Sequence, residues 1–333
     1  MSETAVARPR PGWVRTLTPD PYVLLILGMV GLASVLPVRG QAAVGFDLLT
    51  KAAIALLFFM HGAKLSRQAV VAGMVHWRLH LLIVATTFGL FPLLGLATGL
   101  LPPAILPRAL AVGVVFLCCL PSTVQSSIAF TAVARGNVAA AVCAASASNL
   151  LGIVATPLLA TLLLGTRGAG SPLQEAEAIV VQLLLPFIAG QLARTWIAGW
   201  MQRHGRLVGW SDRSSILLIV YGAFSSAVVQ GIWSKVSIAQ ILWLLVVCAA
   251  ILALALALTA FAARRLGFAK TDEIAIVFCG SKKSLATGVP MAGILFPAAS
   301  VGLVVLPLML FHQLQLMACA VLAQRYAARP DPD

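Results

Sequence analysis

The sequence predicts an all-α membrane protein of ten transmembrane helices, arranged as two inverted five-helix repeats. Three observations predict it: the composition, the spacing of the apolar runs, and an interruption at the matching place in each half. Of 333 residues, 60% are hydrophobic and only 10% charged, with a mean hydropathy of +0.99. Soluble domains carry roughly 25% charged residues, and 33 charged side chains cannot coat a compact body of this size. Apolar runs near 20 residues account for the excess, because that length spans the hydrocarbon of a bilayer.

Taken in order, the runs are 21–37, 46–65, 79–101, 109–134, 137–164, 176–199, 214–232, 237–263, 271–296 and 299–326. Turn and charge signals separate them: Arg39-Gly40, Pro102-Pro103, Gly168-Ala169-Gly170 and the polar stretch from Arg203 to Arg213. No linker is long enough to divide soluble domains. The chain therefore reads as a tail over 1–20, one membrane domain over 21–326 with repeats of about 21–164 and 176–326, and a short tail over 327–333. Residues 1–20 are basic without an apolar core, which reads as a cytoplasmic tail and not a cleaved signal peptide.

Lys and Arg set the orientation, because cytoplasmic loops hold the excess of positive charge. With the N-terminus inside, sixteen of them fall on the cytoplasmic side and five on the other. Lys282 and Lys283 lie inside a run, and the three groups account for all 23. Both termini are then expected in the cytoplasm, with Gly168–Gly170 on the far side of a bacterial inner membrane. The net charge of +13 is dispersed over short loops and forms no stripe for nucleic acid. The six cysteines all fall in apolar runs without metal-like spacing, and read as small packing residues.

An odd number of helices per half forces the halves into opposite orientations. The fourth run is interrupted at Leu120-Pro121-Ser122-Thr123, and the ninth at Gly280-Ser281-Lys282-Lys283-Ser284. Matched interruptions in two halves are the best sequence pointer to a transporter's binding site. Polar residues gather at these depths: Ser122, Thr123, Gln125, Ser126 and Ser127; Ser146, Ser148 and Asn149; Ser281, Lys282, Lys283, Ser284 and Thr287; His312, Gln313 and Gln315. Taken singly, a serine more often bonds back to its own helix or knits two helices together. Two adjacent lysines at mid-membrane are different, since each costs roughly 3 kcal/mol unless it meets water, a counter-charge or carbonyls. At least one is expected to line an aqueous cavity. All ten Asp and Glu lie in tails, loops or run ends, so the centre should carry a positive potential and prefer an anion, helped by the N-termini of broken helices.

Gly136-Asn137-Val138-Ala139, the Ser/Asn-rich stretch to Thr156-Pro157, and Gly280-Ser281-Lys282-Lys283-Ser284-Leu285 with Gly288-Val289-Pro290 together resemble the bile acid:sodium symporter family. The match is to its bacterial SBF-like branch, related to the orphan seventh human member, over roughly residues 20–326. The resemblance implies a panel domain from runs 1, 2, 6 and 7, and a core from 3–5 and 8–10 with runs four and nine crossing at their breaks. It implies an organic anion bound between the two, and sodium ions behind the crossing. Ser127 and Ser146–Asn149 fall in the first sodium region, so Ser127, Ser146 and Asn149 are candidates for one weak neutral-oxygen site. Gly280 to Ser284 falls in the region shared by both sites. The family's Glu-x-Gly-x-Gln motif aligns with Phe278-Cys279-Gly280-Ser281-Lys282, placing an apolar residue for the acid and a lysine for the glutamine.

The expectation is thus secondary transport of a small organic anion by alternating access, with no cofactor and with sodium or a proton as coupling ion. An ammonium beside a sodium seat repels the ion, so either Lys282 replaces one sodium, or coupling is to protons, or transport is uncoupled. No Walker loop is present to supply ATP. The competing readings are a non-transporting membrane regulator and a Ser–Lys membrane hydrolase built on Ser281 or Ser284. The partners expected are the bilayer and the anion, in a monomer or weak dimer.

Overall fold

A computed structural model describes residues 21–64, 76–165, 180–229, 231 and 236–329. The expected tail over 1–20, the end of the tail from 330 and the loop Gly168–Gly170 lie outside the described residues. Within them the chain is helical and holds no strand. The helices fall where the apolar runs lie: α1 (Pro21–Val35), α2 (Gln41–Lys64), α3 (Trp77–Ala85), a π-helical turn (Thr86–Leu90) leading into α4 (Phe91–Ala97), α5 (Arg108–Cys119), α6 (Gln125–Val133), α7 (Val138–Leu164), α8 (Leu185–Arg203), α9 (Gly205–Val229), α10 (Ile238–Arg265), α11 (Lys270–Gly280), α12 (Leu285–Leu295) and α13 (Ala298–Ala327).

Among the described residues, six helical stretches are long and apolar enough to cross a membrane: Gln41–Lys64, Trp77–Leu100, Val138–Leu164, Gly205–Val229, Ile238–Arg265 and Ala298–Ala327. Their outward faces are apolar as well. Leu151, Val154, Leu158 and Leu162 form an exposed stripe at helical spacing along α7. In water such a stripe would be an aggregation liability. In lipid it is the natural surface.

One boundary differs from the sequence expectation. The polar stretch Arg203–Arg213 is not a loop: α9 starts at Gly205, nine residues before the expected run. Its charges hide a packing signal, because Val208 is buried against Met60, Ala63 and Met201.

α1, α2, α8 and α9 pack on one another, and α9 also meets α12 and α13. The α2–α8 contact is backbone on backbone. A Cβ on Gly62 would meet the Phe187 carbonyl oxygen at 2.0 Å, and one on Gly190 would meet that of Phe59 at 1.9 Å. On the other side α11 packs against α3, α6, α7 and α10, while α13 packs against α5 and α10.

Both expected interruptions are present. α5 ends where Pro121 has no N–H to continue the ladder, and Leu120 before it is extended at φ −74°, ψ 155°. α11 ends at Gly280, and the chain restarts at Ser284, whose hydroxyl caps the Thr287 N–H at 3.2 Å. The breaks nest together. The Ser284 N–H donates to the Pro121 carbonyl at 2.9 Å, and a Cβ on Gly288 would stand 2.4 Å from Leu120 Cδ1.

Candidate functional site

Breaking two apolar helices at one place frees backbone carbonyls, and each buried one needs a donor. The polar residues singled out from the sequence are largely those donors. Thr156 donates to Cys119 O at 2.8 Å, and Asn149 Nδ2 to Ser122 O at 2.7 Å. The Ser148 hydroxyl accepts the Ser122 N–H at 3.0 Å. Ser127 donates to Phe278 O at 3.0 Å, binding the fourth run to the ninth. Gln315 clamps the second break from α13: its Oε1 accepts the Lys283 N–H at 2.8 Å and its Nε2 donates to Lys283 O at 2.9 Å. Thr287 completes the set by donating to Asn149 Oδ1 at 2.9 Å.

The two lysines are both fully buried and have opposite surroundings. Lys283 Nζ donates to Thr87 O at 2.8 Å, Cys118 O at 2.9 Å and Leu120 O at 2.7 Å. Lys282 Nζ has no hydrogen-bond acceptor. It lies 4.1 Å from the centre of the Phe130 ring and 5.3 Å from that of Phe278. The resemblance aligns Phe278 with the family motif's acid, so on that alignment an aromatic ring takes the place of the carboxylate. A ring's negative face attracts a cation by about 2 kcal/mol when both are shielded from water.

Beside the crossing lies a cavity of about 830 Å³. Its polar wall holds Thr123, Gln125, Ser126, Ser146, Asn149, Ser284, Thr287 and His312, and its apolar wall includes Leu57, Phe58, Ile153, Phe187 and Ile216. Both α6 and α12 begin at this wall, bringing the positive ends of two helix dipoles to it. Lys64, Arg206 and Arg213 also line it, with His61 and one carboxylate, Asp212. Asp212 Oδ2 is paired with Lys64 Nζ, while its Oδ1 is buried without a partner.

This arrangement corrects the expected source of positive charge. Neither Lys282 nor Lys283 lines the cavity; Phe130 does, and its ring centre lies 4.1 Å from Lys282 Nζ. Ser122, Ser127, Ser148, Gly280 and Ser281 are likewise buried behind the wall, and Gln313 is not part of it. Of the three residues expected to share a sodium site, Ser146 and Asn149 face the cavity, whereas Ser127 turns to the Phe278 carbonyl. From the sequence alone, the cations that do face the cavity count only toward orientation. Their one sequence signal was the cluster Arg203, Arg206 and Arg213 on an amphipathic stretch. The Ser–Lys pairing is absent too: Ser281 donates to Val277 O at 2.6 Å, Ser284 caps α12, and no hydrogen bond joins either hydroxyl to a lysine amine.

The profile of the SBF-like CPA transporter family matches residues 20–328. An uncharacterized protein of Pseudomonas aeruginosa is 60% identical over 317 residues, covering 94% of each chain. An Escherichia coli K12 protein that carries the name of a symporter, YfeH, is 55% identical over 92% of each. The rat protein named sodium/bile acid cotransporter 7 is 30% identical over 273 residues, 81% of this chain and 80% of its own.

Proposed function

Because the chain belongs to the SBF-like CPA transporter family, and so is a multi-pass membrane transporter and not an enzyme, we propose that it moves an amphipathic organic anion by alternating access. The single observation that carries the substrate class is the cavity. An anionic head would meet Lys64, Arg206 and Arg213, and an apolar body would lie along Leu57, Phe58, Ile153, Phe187 and Ile216. Asp212 is the one carboxylate among the lining residues and is already paired, which leaves a positive surplus.

In this reading the chain has ten crossings in two inverted repeats. α1, α2, α8 and α9 act as the panel against which the remaining helices move, and their mutual packing supports the division. The charge asymmetry supports cytoplasmic termini in an inner membrane, and the basic end of the cavity then faces the cytoplasm. Coupling is not to sodium. Lys282 stands at the position of the family's ion-site glutamine, with Phe278 in place of the acid, and among the described residues no carboxylate contacts either lysine. Lys282 is the better candidate for carrying a proton, because releasing it breaks no hydrogen bond.

Uptake of labelled anions into proteoliposomes, in sodium, potassium and choline buffers at several pH values, tests the reading. Flat sodium dependence with a pH optimum that is lost in Lys282→Gln is expected. Steep sodium dependence with two ions per cycle would refute the coupling, and absence of uptake across an amphipathic anion panel would refute the substrate class.

A further inference from the structure

We propose that Lys283 is a tethered ligand, its ammonium filling a monovalent-cation seat that the backbone builds where the two breaks meet. The seat has three carbonyl oxygens, from Thr87, Cys118 and Leu120, at 2.7 to 2.9 Å from Nζ. The Phe91 ring closes it, centred 4.1 Å from the nitrogen. An ammonium has three N–H donors, so supply and demand match one for one.

Each carbonyl is free for a reason visible in the chain. In the π-helical turn the Phe91 N–H is taken by Thr86 O. The next residue, Pro92, has no N–H to offer Thr87 O. Cys118 O loses its helical partner because the Ser122 N–H turns to the Ser148 hydroxyl. Leu120 O follows the end of α5, where the backbone is extended. The last-turn carbonyls of α5 also carry the negative end of its dipole, which favours a cation there. No carboxylate among the described residues contributes. The side chain of Lys283 fills this seat from a backbone that Gln315 holds at both its N–H and its carbonyl.

A seat occupied by its own chain cannot release its cation in a transport cycle. It is a fixed rivet between the π-helical turn, α5 and the second break. The inference concerns fold stability, so its test does not depend on the transported substrate.

The experiment uses purified full-length Lys283→Ala in detergent, melted with methylammonium or propylammonium against tetramethylammonium at equal ionic strength. Propylammonium is expected to raise the melting point of Lys283→Ala by several degrees with saturation. It should leave the unsubstituted protein and Lys283→Met unmoved, because their side chains fill the space. Tetramethylammonium, which has no N–H, should do nothing. Amines that leave Lys283→Ala unmoved, or tetramethylammonium acting equally, would overturn the proposal. If Lys283→Ala does not fold, Pro92→Ala decides through folded yield on size-exclusion chromatography. It supplies a donor for Thr87 O, so it should raise the yield of Lys283→Met and lower or leave that of the unsubstituted protein. The same effect in both backgrounds would overturn the seat.

Discussion

Replacing Lys282 by Met should make the protein more stable and abolish transport. The side chains are similar in length and volume, so packing changes little and the charged nitrogen is what is lost. Lys282 Nζ has no acceptor and touches two ring faces, at 4.1 and 5.3 Å. Those faces return together about 2–4 kcal/mol at most, whereas burying an ion costs several kcal/mol even after relaxation. Removing it should therefore gain about 1–3 kcal/mol, or a few degrees of melting temperature at the scaling for chains of this length. Lys283→Met is the matched control. It deletes three charge-assisted hydrogen bonds, each worth about 1.5–3 kcal/mol, and orphans three carbonyls, for a net loss of about 3–5 kcal/mol. Two neighbouring lysines, equally buried, should thus shift stability in opposite directions. A thiol-reactive fluorophore is a suitable probe, because Cys118, Cys119, Cys143, Cys248, Cys279 and Cys319 are all free and buried until the fold opens. Melting of Lys282→Met as low as that of Lys283→Met would refute the assignment, and so would uptake by Lys282→Met at the unsubstituted rate.

The cavity cations and the tight helix contact give two more expectations. Arg206→Gln and Arg213→Gln should each raise the KM for the anion about fivefold in low salt, as expected for roughly 1 kcal/mol of attraction through water-rich surroundings. Asp212→Asn should lower it by freeing Lys64, and uptake kinetics at high salt should compress all three effects. Gly190→Ala places a methyl group 1.9 Å from the Phe59 carbonyl oxygen, and should cost about 3 kcal/mol or more through forced separation of α2 and α8. Gly199→Ala, with nothing within 4 Å, is the neutral comparison in the same helix, and equal melting of the two variants would refute the contact.

The helices were legible because apolar run length is a direct consequence of where backbone groups can be satisfied in a bilayer. The breaks were legible for an equally local reason: Pro121 lacks a donor, and Gly280 through Ser284 interrupts an apolar run with groups that compete for backbone bonds. The start of α9 was hidden, since Arg203–Arg213 carries enough charge to look like a loop. Only the burial of Val208 against Met60 and Met201 shows why it coils. The facing of side chains was hidden for a different reason. Ser127 and Ser146 are alike in sequence, but one is used by a carbonyl 151 positions away and the other faces open space. No local rule distinguishes them.

The same accounting explains how a centre without acids holds two lysines. Breaking a membrane helix is costly in proportion to the carbonyls it strands, and the fold answers with donors of graded capacity. Thr156 and Ser127 each supply one, and Asn149 donates to two carbonyls, Ser122 O and Ala145 O. Lys283 supplies three in a region that the π-helical turn, α5 and the second break all reach. A mid-membrane lysine beside a break is therefore not in itself a sign of a ligand, since backbone demand alone accounts for Lys283. The proton-carrying role proposed for Lys282 calls for the reverse condition, a buried nitrogen for which the surrounding backbone has no use. Lys282 meets that condition, and the Phe130 ring that it touches lines the cavity. The two positions differ by one residue, and because adjacent side chains do not share a face, that single step is enough to give them surroundings so unlike.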